Sequence, residues 1–420
     1  MPTMNSTHDV LIIGGGLVGA SLAIALDGAG LRVGLAEAVP ARANHQPSYD
    51  ERNLALARAT VNALTALGVW AHVAGRATPI LRIHVSRQGE FGAARFAAAK
   101  HGVEAFGAVL PARELGNGLL ARLDSCASLV RYAPATLTAM EPRADAIEAR
   151  IETDAGEKII AARLIVGADG TGSFVRSALG IETANVDYAQ TAFVTTVTPQ
   201  LPLDGCAYER FTASGPVALL PLADRRAGVV LAVPASDAAR VAALDDNGFL
   251  ALLHERFGWR VGRLSRPGRR VSYPLQRVQA MRLTAARAVL VGNAAQTLHP
   301  IGAQGFNLGL RDALTLAELL IERSGAGDPG AVDLLDEYGR RRREDRDGTI
   351  AMSDGLARLT ANDAAPLKLL RSFGLIALDR IPALQAAVVR RGMGFRGRVP
   401  QLALGDVGQS ASGLAAGMRR

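Results

Sequence analysis

The stretch Gly292 to Asp312, G-N-A-A-Q-T-L-H-P-I-G-A-Q-G-F-N-L-G-L-R-D, gathers residues whose types and spacing could do chemistry. His299 carries an imidazole suited to proton transfer, and Pro300 fixes the backbone of the loop beside it. Gly302 and Gly305 let the backbone approach a flat ligand closely. An apolar strand, Ala288 to Val291, precedes the loop. A helical pattern through Leu314, Leu316, Leu319 and Leu320 follows it, so a helix start is predicted near Gly305. Unpaired N–H groups in that first turn, from Gly305, Phe306 and Asn307, favour an anion or a polarised carbonyl. The chemistry on offer is electrostatic stabilisation of charge on a planar, electron-rich ligand. His299 is either a general base or a residue that packs the loop, and the sequence leaves both open.

A second set of elements must hold the rest of such a ligand. Asp9 to Ile13 reads as a buried parallel strand, Gly14-x-Gly16-x-x-Gly19 opens a helix through Leu22 and Leu26, and the strand Leu31 to Ala36 ends at Glu37. That order, with the acid about 20 residues beyond the glycines, is the dinucleotide-binding unit: backbone meets pyrophosphate at the helix start and Glu37 accepts from ribose hydroxyls. Tyr132 to Met140, Ala146 to Thr153 and Lys158 to Ala162 read as an antiparallel meander. Leu164 to Val166 then forms a buried strand ending in the Asp169-Gly170 turn, with Arg176 downstream. From Gln190 to Tyr273 no motif appears. Strand-like runs and one helix, Asp245 to Phe257, suggest a sheet lining an apolar cavity.

Together the Gly14 unit, the Asp169-Gly170 pair and the Gly292 block resemble the three FAD fingerprints of single-component aromatic flavoprotein hydroxylases. The wording G-N-A-A-Q-T-L-H-P followed by Q-G-F-N-L-G-x-R-D is most similar to the branch that hydroxylates 2-polyprenyl-6-methoxyphenols in ubiquinone biosynthesis. Asn293 stands where most relatives carry Asp, Gln296 where many carry His, and Gly302-Ala303 reverses the Ala-Gly of that branch. The resemblance implies that Gly14, Gly16, Gly19, Glu37, Arg52, Arg113, Asp169, Asn293, Gly302, Gln304, Gly305, Phe306 and Asn307 hold FAD. It places His299, Pro300 and Gly305 at the reacting centre. Arg52 and Arg113 each have a plainer alternative, as a helix-terminal or first-turn surface arginine.

The resemblance also implies an α/β fold. A Rossmann-like, hydroxybenzoate-hydroxylase-like FAD-binding domain is discontinuous over 1–75, 106–185 and 274–345. An inserted mixed-sheet substrate domain spans 76–105 and 186–273, and C-terminal helices with a basic tail span 346–420. The activity it implies is NAD(P)H-dependent monooxygenation with O2 through a flavin C4a-hydroperoxide, on the ring of a polyprenylated phenol. Another ring position of the same pathway is the alternative. One unit of strand, Gly-x-Gly-x-x-Gly, helix, strand and terminal acid in the chain means that NAD(P)H binds transiently, over the flavin domain. A FAD-holding scaffold that supports other ubiquinone-biosynthesis proteins is a rival from another class, opposed by the intact Gly302 to Asn307 loop. Flavin-dependent halogenation is opposed because Trp70 and Trp259 stand outside any Trp-x-Trp-x-Ile-Pro motif.

Composition sets the outer bounds. At 420 residues and 49% hydrophobic, the chain can bury a large core. Cys126 and Cys206 lack metal or disulfide spacing, so no metal site is expected and a reducing, cytoplasmic setting is. A net charge of +8 favours anionic partners. Nucleic acid is not expected, because no binding module or aromatic-basic interleaving accompanies the charge. The uncharged run Val10 to Leu26 is broken by Gly14 to Gly16 and too short for a span. Arg340 to Arg343 reads as a solvated helix face. Pro366 to Met393 reads as a helix kinked at Pro382, with Leu367, Leu370, Gly374, Ala377, Ile381, Leu384 and Val388 on one face. The basic end beyond it is either a solvated tail or a surface resting on anionic membrane, at the inner face, or on a partner protein.

Overall fold

Val10, Leu11 and Ile12 are fully buried, which a strand achieves only when both faces of its sheet are covered. In the computed structural model, which describes residues 4–40, 52–325, 327–361 and 365–405, strand Met4–Ile13 lies at the centre of a sheet. It pairs in parallel with Val33–Ala36 on one side and Gly156–Gly167 on the other. Leu129–Tyr132 and Ala288–Leu290 extend the parallel set outward. The Gly156–Gly167 strand is a single unit: its first half carries the antiparallel hairpin with Ile147–Thr153 and its second half the parallel core. Helices Leu17–Ala25 and Gln304–Glu322 pack on each other and on this sheet, with Leu22, Leu310 and Leu316 fully buried.

A second, nine-stranded sheet runs in the order Gln296–Thr297, Val271–Ala280, Thr183–Pro199, Ala227–Pro234, Gly215–Pro221, Cys206–Thr212, Arg82–Arg87 and Ala93–Ala97, with Leu264–Ser265 beside Thr183–Pro199. Strands from residues 82–97 therefore join those of residues 183–297. The loop of the Gly292 block contributes a short edge strand to this sheet and its helix to the other layer, so one segment stitches both.

Helix Val332–Ala361 runs without a break through Asp345, where a domain boundary was expected. The arginine run on it divides by helical position, which corrects the expectation of a solvated face. Arg340 and Arg343 are exposed, but Arg342 is wholly buried, its Nε 2.7 Å from Asp312 and its guanidinium 2.9 Å from Asp345. Tyr338, Arg342, Asp345, Arg346 and Thr349 share one buried face at i, i+4, i+7, i+8 and i+11. Burial opposes the charge on Asp345, but Arg311 at 2.7 Å and Arg342 hold its carboxyl below the usual range.

Beyond it, helices Ala365–Arg380 and Pro382–Gly392 meet at 92°, a full break at Pro382. The face expected inward is largely outward: Leu370, Ile381, Leu384 and Val388 are exposed. The helix turns instead to bury Arg371 and Ser372, because Arg371 pairs with buried Glu90 at 2.6 Å and Ser372 lies against Gly92. Asp379 accepts from the Arg95 backbone at 2.8 Å, which seats the helix on strand Ala93–Ala97. No single described helix is long and apolar enough to cross a membrane. The basic end beyond Gly405, from Asp406 on, lies outside the described residues.

Candidate active site

Between the two sheets lies a cavity of about 1520 Å³, well above the roughly 300–1,000 Å³ of a pocket for one drug-sized ligand. Two helix starts open on it. Helix Leu17–Ala25 begins after Gly16 and helix Gln304–Glu322 after Ala303, and neither has a side-chain cap or an acid in its first turn. Their first-turn N–H groups therefore keep their partial positive charge for whatever enters.

The glycines explain how backbone comes so close. A Cβ on Gly14 would lie 2.5 Å from the Ala168 carbonyl oxygen, and one on Gly19 would meet the Gly14 oxygen at 1.9 Å. Gly19 thus serves helix–strand contact and does not line the cavity, while Gly14 and Gly16 do. Gly302, at φ +70°, and Gly305 face open space, with no heavy atom within 4 Å of an added Cβ. That space, at the mouth of an uncapped helix, fits the pyrimidine edge of a flavin; the Gly14 to Leu17 start fits a pyrophosphate.

Several other residues read from the sequence gather here, some of them already engaged. Glu37 lines the cavity and accepts from Gly15 N at 2.6 Å and Val39 N at 2.9 Å. Asp169 accepts from Ser173 Oγ at 2.5 Å and Val175 N at 3.0 Å, so its carboxylate holds the turn that shapes the wall. Arg176, buried, donates to the Ala294 and Thr171 carbonyls and ties that turn to the Gly292 block. Arg52, Asn293, Pro300, Gln304 and Phe306 also line the cavity. Arg113 does not: it is half exposed on the first turn of helix Ala112–Leu123, 3.6 Å from Glu114.

Asn307 is 1% exposed and its carboxamide is fully used. The oxygen accepts from Ala57 N and Thr60 Oγ1, and the nitrogen donates to the Ala55 and Ala303 carbonyls, all within 2.9 Å. Only its backbone is left for a ligand. Gln296, the departure from the usual His, donates to Asp312 at 2.6 Å and accepts from Arg346 at 2.8 Å, inside the buried ionic network.

His299 has no ring nitrogen to spare. Nδ1 accepts from Ile301 N at 3.2 Å, which puts the proton on Nε2, and Nε2 donates to Gln190 Oε1 at 3.2 Å. Tyr188 packs edge-on against the ring at 4.8 Å, and burial, opposed in part by Asp354, lowers its pKa to about 4. A neutral imidazole with both nitrogens engaged is a poor proton acceptor.

The cavity wall made by the nine-stranded sheet held no motif. It includes Val85, Phe96, Phe211, Ala218 and Leu220, with Glu209 among them. Sequence reasoning missed Glu209 because Tyr208-Glu209-Arg210 looks like a solvated strand.

A doubly covered parallel sheet, a glycine-rich helix start and a second start across one large cavity define a FAD-dependent enzyme of mixed α/β architecture. The chain matches the FAD binding domain family over residues 7–351 and belongs to it, as an FAD-dependent monooxygenase whose typical reductant is NAD(P)H. It is similar to the ubiquinone hydroxylase UbiL of Rhodospirillum rubrum, 38% identical over 92% of this chain and 89% of that one. It is also similar to the 3-demethoxyubiquinol 3-hydroxylase of Escherichia coli, 31% identical over 93% and 100%. In fold it is similar to p-nitrophenol 4-monooxygenase PnpA of Pseudomonas putida, with a TM-score of 0.77 at 19% identity, covering 94% of this chain and all of that one.

Proposed function

We propose that this protein hydroxylates the ring of a polyprenylated phenol in ubiquinone biosynthesis, with a 2-polyprenyl-6-methoxyphenol as substrate and a neighbouring ring position as the alternative. The observation that carries the reading is one cavity that joins two uncapped helix starts to an apolar chamber. The names of the similar hydroxylases support it. When bound, FAD supplies reduction by NAD(P)H and activation of O2. The chain supplies position, charge and dryness.

In this reading the Gly14, Gly16 and Gly19 unit seats the pyrophosphate, and Glu37 takes the ribose. Arg52, Asp169 and Asn293 meet the middle of the cofactor. The N–H groups of Gly305, Phe306 and Asn307 balance negative charge at the flavin's pyrimidine edge. Gly302, Gln304 and Pro300 shape the loop against which the ring lies, and His299 fastens that loop. Apolar walls exclude water, which protects an activated oxygen from hydrolysis.

A second part of the reading concerns lipid. Phe91, Leu369, Leu370, Phe373, Ile376, Ile381, Leu384 and Val388 form exposed apolar surface on and beside the bent helix pair. Lys368, Arg380, Arg390 and Arg391 lie on the same helices, and Leu370 and Val388 also line the cavity. A long prenyl chain needs an apolar entrance, and apolar surface flanked by cations suits an anionic leaflet. We propose that this corner rests peripherally on such a leaflet. Flotation with phosphatidylglycerol vesicles should recover the protein, and Phe373→Ser with Leu370→Ser should abolish recovery; equal recovery of the double variant sinks the idea.

The test of function is product mass after mixing FAD-loaded protein, NADPH, 18-O2 and a short-chain 2-prenyl-6-methoxyphenol. A product carrying one labelled oxygen supports the reading, and ring-position analysis selects the carbon. Bound FAD that NADPH does not reduce would favour a scaffold role instead.

A further inference from the structure

We propose that Glu209 receives the proton of the phenol hydroxyl during ring hydroxylation. The assignment rests on the hydroxylase reading above and gives that site its acid–base group.

Geometry comes first. On strand Cys206–Thr212 the residues Ala207, Tyr208, Glu209 and Phe211 line the cavity, and Glu209 shares its face of the strand with Ala207 and Phe211. Phe211 packs with Val85 and Ile301, and Ile301 sits between Pro300 and Gly302. Glu209 is two residues along the strand, roughly 7 Å from Phe211 by strand rise. It therefore stands on the wall facing the loop where the ring is to be oxygenated.

Its surroundings leave it unsatisfied. The residues beside it in register are Val85 and Ala218, both apolar. Among the described residues Glu209 has no hydrogen bond or ion pair, and its half-buried side chain is reached from the cavity that it lines. The other acids of the cavity are committed: Glu37 to Gly15 and Val39, Asp169 to Ser173 and Val175, and Glu90 to Arg371 and Arg87. The remaining charges on the lining, Arg52, Arg87 and Arg371, do not shift Glu209; burial alone lifts its pKa to about 7. A carboxylate among apolar neighbours with no protein partner is free to accept from a ligand that enters the cavity. A phenol hydroxyl is such a donor, whereas the prenyl chain and methoxy group are not.

The step balances without a redox partner. The phenol O–H bond breaks, an O–H bond forms on Glu209, and the electron pair stays on the phenolate oxygen. That negative charge enters the ring and raises its nucleophilicity toward an electrophilic oxygen atom. After oxygen transfer the ring carbon loses its hydrogen as a proton to water, the C–H electron pair restores aromaticity, and Glu209 returns the first proton to the oxygen it came from. His299 cannot substitute, since both its nitrogens are engaged.

Glu209→Gln and Glu209→Asp are compared with wild type as FAD-loaded proteins, using NADPH, O2 and a short-chain 2-prenyl-6-methoxyphenol. Glu209→Gln should lose about 100-fold or more in kcat/KM for oxygenated product. It should also lose the acid limb near pH 7. Glu209→Asp should recover that limb at a lower rate. A binding titration, read from the flavin absorbance, supplies a signal independent of turnover: wild-type Kd for the phenol should tighten as pH rises through 7, and that of Glu209→Gln should stay flat. Oxygenated product from Glu209→Gln within about threefold of wild type, or the same pH-dependent Kd, overturns the assignment while the hydroxylase reading stands. No oxygenated product from wild type overturns the hydroxylase reading and the assignment with it.

Discussion

The carboxamide oxygen of Asn307 accepts a hydrogen bond from the Ala57 amide at 2.8 Å, across 250 residues of chain. With the bonds to Thr60, Ala55 and Ala303, it fixes the start of helix Gln304–Glu322 against strand Asn53–Ala57. Asn307→Ala leaves these buried groups without partners and should cost at least about 3 kcal/mol. Urea unfolding of the apo protein checks this; a loss confined to FAD affinity, with stability unchanged, would contradict the stitching role.

Gly305 separates cofactor binding from stability in the opposite sense. No heavy atom lies within 4 Å of an added methyl, so Gly305→Ala should leave the apo protein as stable or about 0.5 kcal/mol more stable. The methyl fills space assigned to the flavin, so FAD affinity should fall about tenfold or more. Flavin fluorescence and apo thermal melts measure the two quantities separately.

Arg342 and Arg340 sit half a turn apart with opposite consequences. Arg342→Ala takes from buried Asp312 its guanidinium partner, leaves Asp345 with Arg311 alone and should destabilise by about 3–5 kcal/mol. Arg340→Ala, at the surface, should stay within about 0.5 kcal/mol. Similar losses from both would mean that the network does not carry the packing of the two long helices.

Glu209 should make the empty enzyme less stable as pH rises. Its folded pKa of about 7 lies above the unfolded carboxyl value, so the native state holds the extra proton between them and the penalty is complete above pH 7. Glu209→Gln should therefore be more stable than wild type at pH 8, by up to about 3 kcal/mol, and lose that advantage toward pH 5. Thermal melts of the apo proteins across this range give the sign directly.

His299 works from the acid side. Burial holds its folded pKa near 4, below the unfolded value, so the unfolded chain binds more protons between about pH 4 and 6.5 and stability falls as pH drops through that window. His299→Asn should flatten this part of the stability profile, and its loss of hydroxylation at pH 7.5 should track loop order rather than a titrating base. A variant with normal flavin binding but no acid limb in activity would return His299 to the proton-transfer role.

The strand–glycine–helix units that line the cavity were legible because backbone shapes them. Gly14, Gly16, Gly19 and Gly305 are read by their spacing, and spacing survives in sequence. Arg342 was hidden in a charged run, since only the helical period against a neighbouring helix separates it from Arg340. Asn307 reads as a cofactor-binding residue, yet its amide is spent on the protein itself, and so is that of Gln296, which stands where many relatives carry His. Glu209 was illegible because its meaning depends on strand Arg82–Arg87, more than a hundred residues away, pairing beside it. The outward face of helix Ala365–Arg380 was misjudged because a buried arginine, Arg371, outweighed the leucines in setting its rotation.

The two helix starts that open on the cavity are nearly 290 residues apart in the chain. During synthesis the first emerges early, beside a sheet that still lacks strand Ala288–Leu290, and the loop beyond that strand does not yet exist. At about 5–20 residues per second the second start follows roughly 15 seconds to a minute later. Secure capture of the cofactor is therefore an event late in translation, and a ribosome stalled before Gly305 would release a chain with an incomplete grip on FAD. Cofactor supply would then act as a checkpoint on the nearly finished protein, sorting chains by whether their last third has closed.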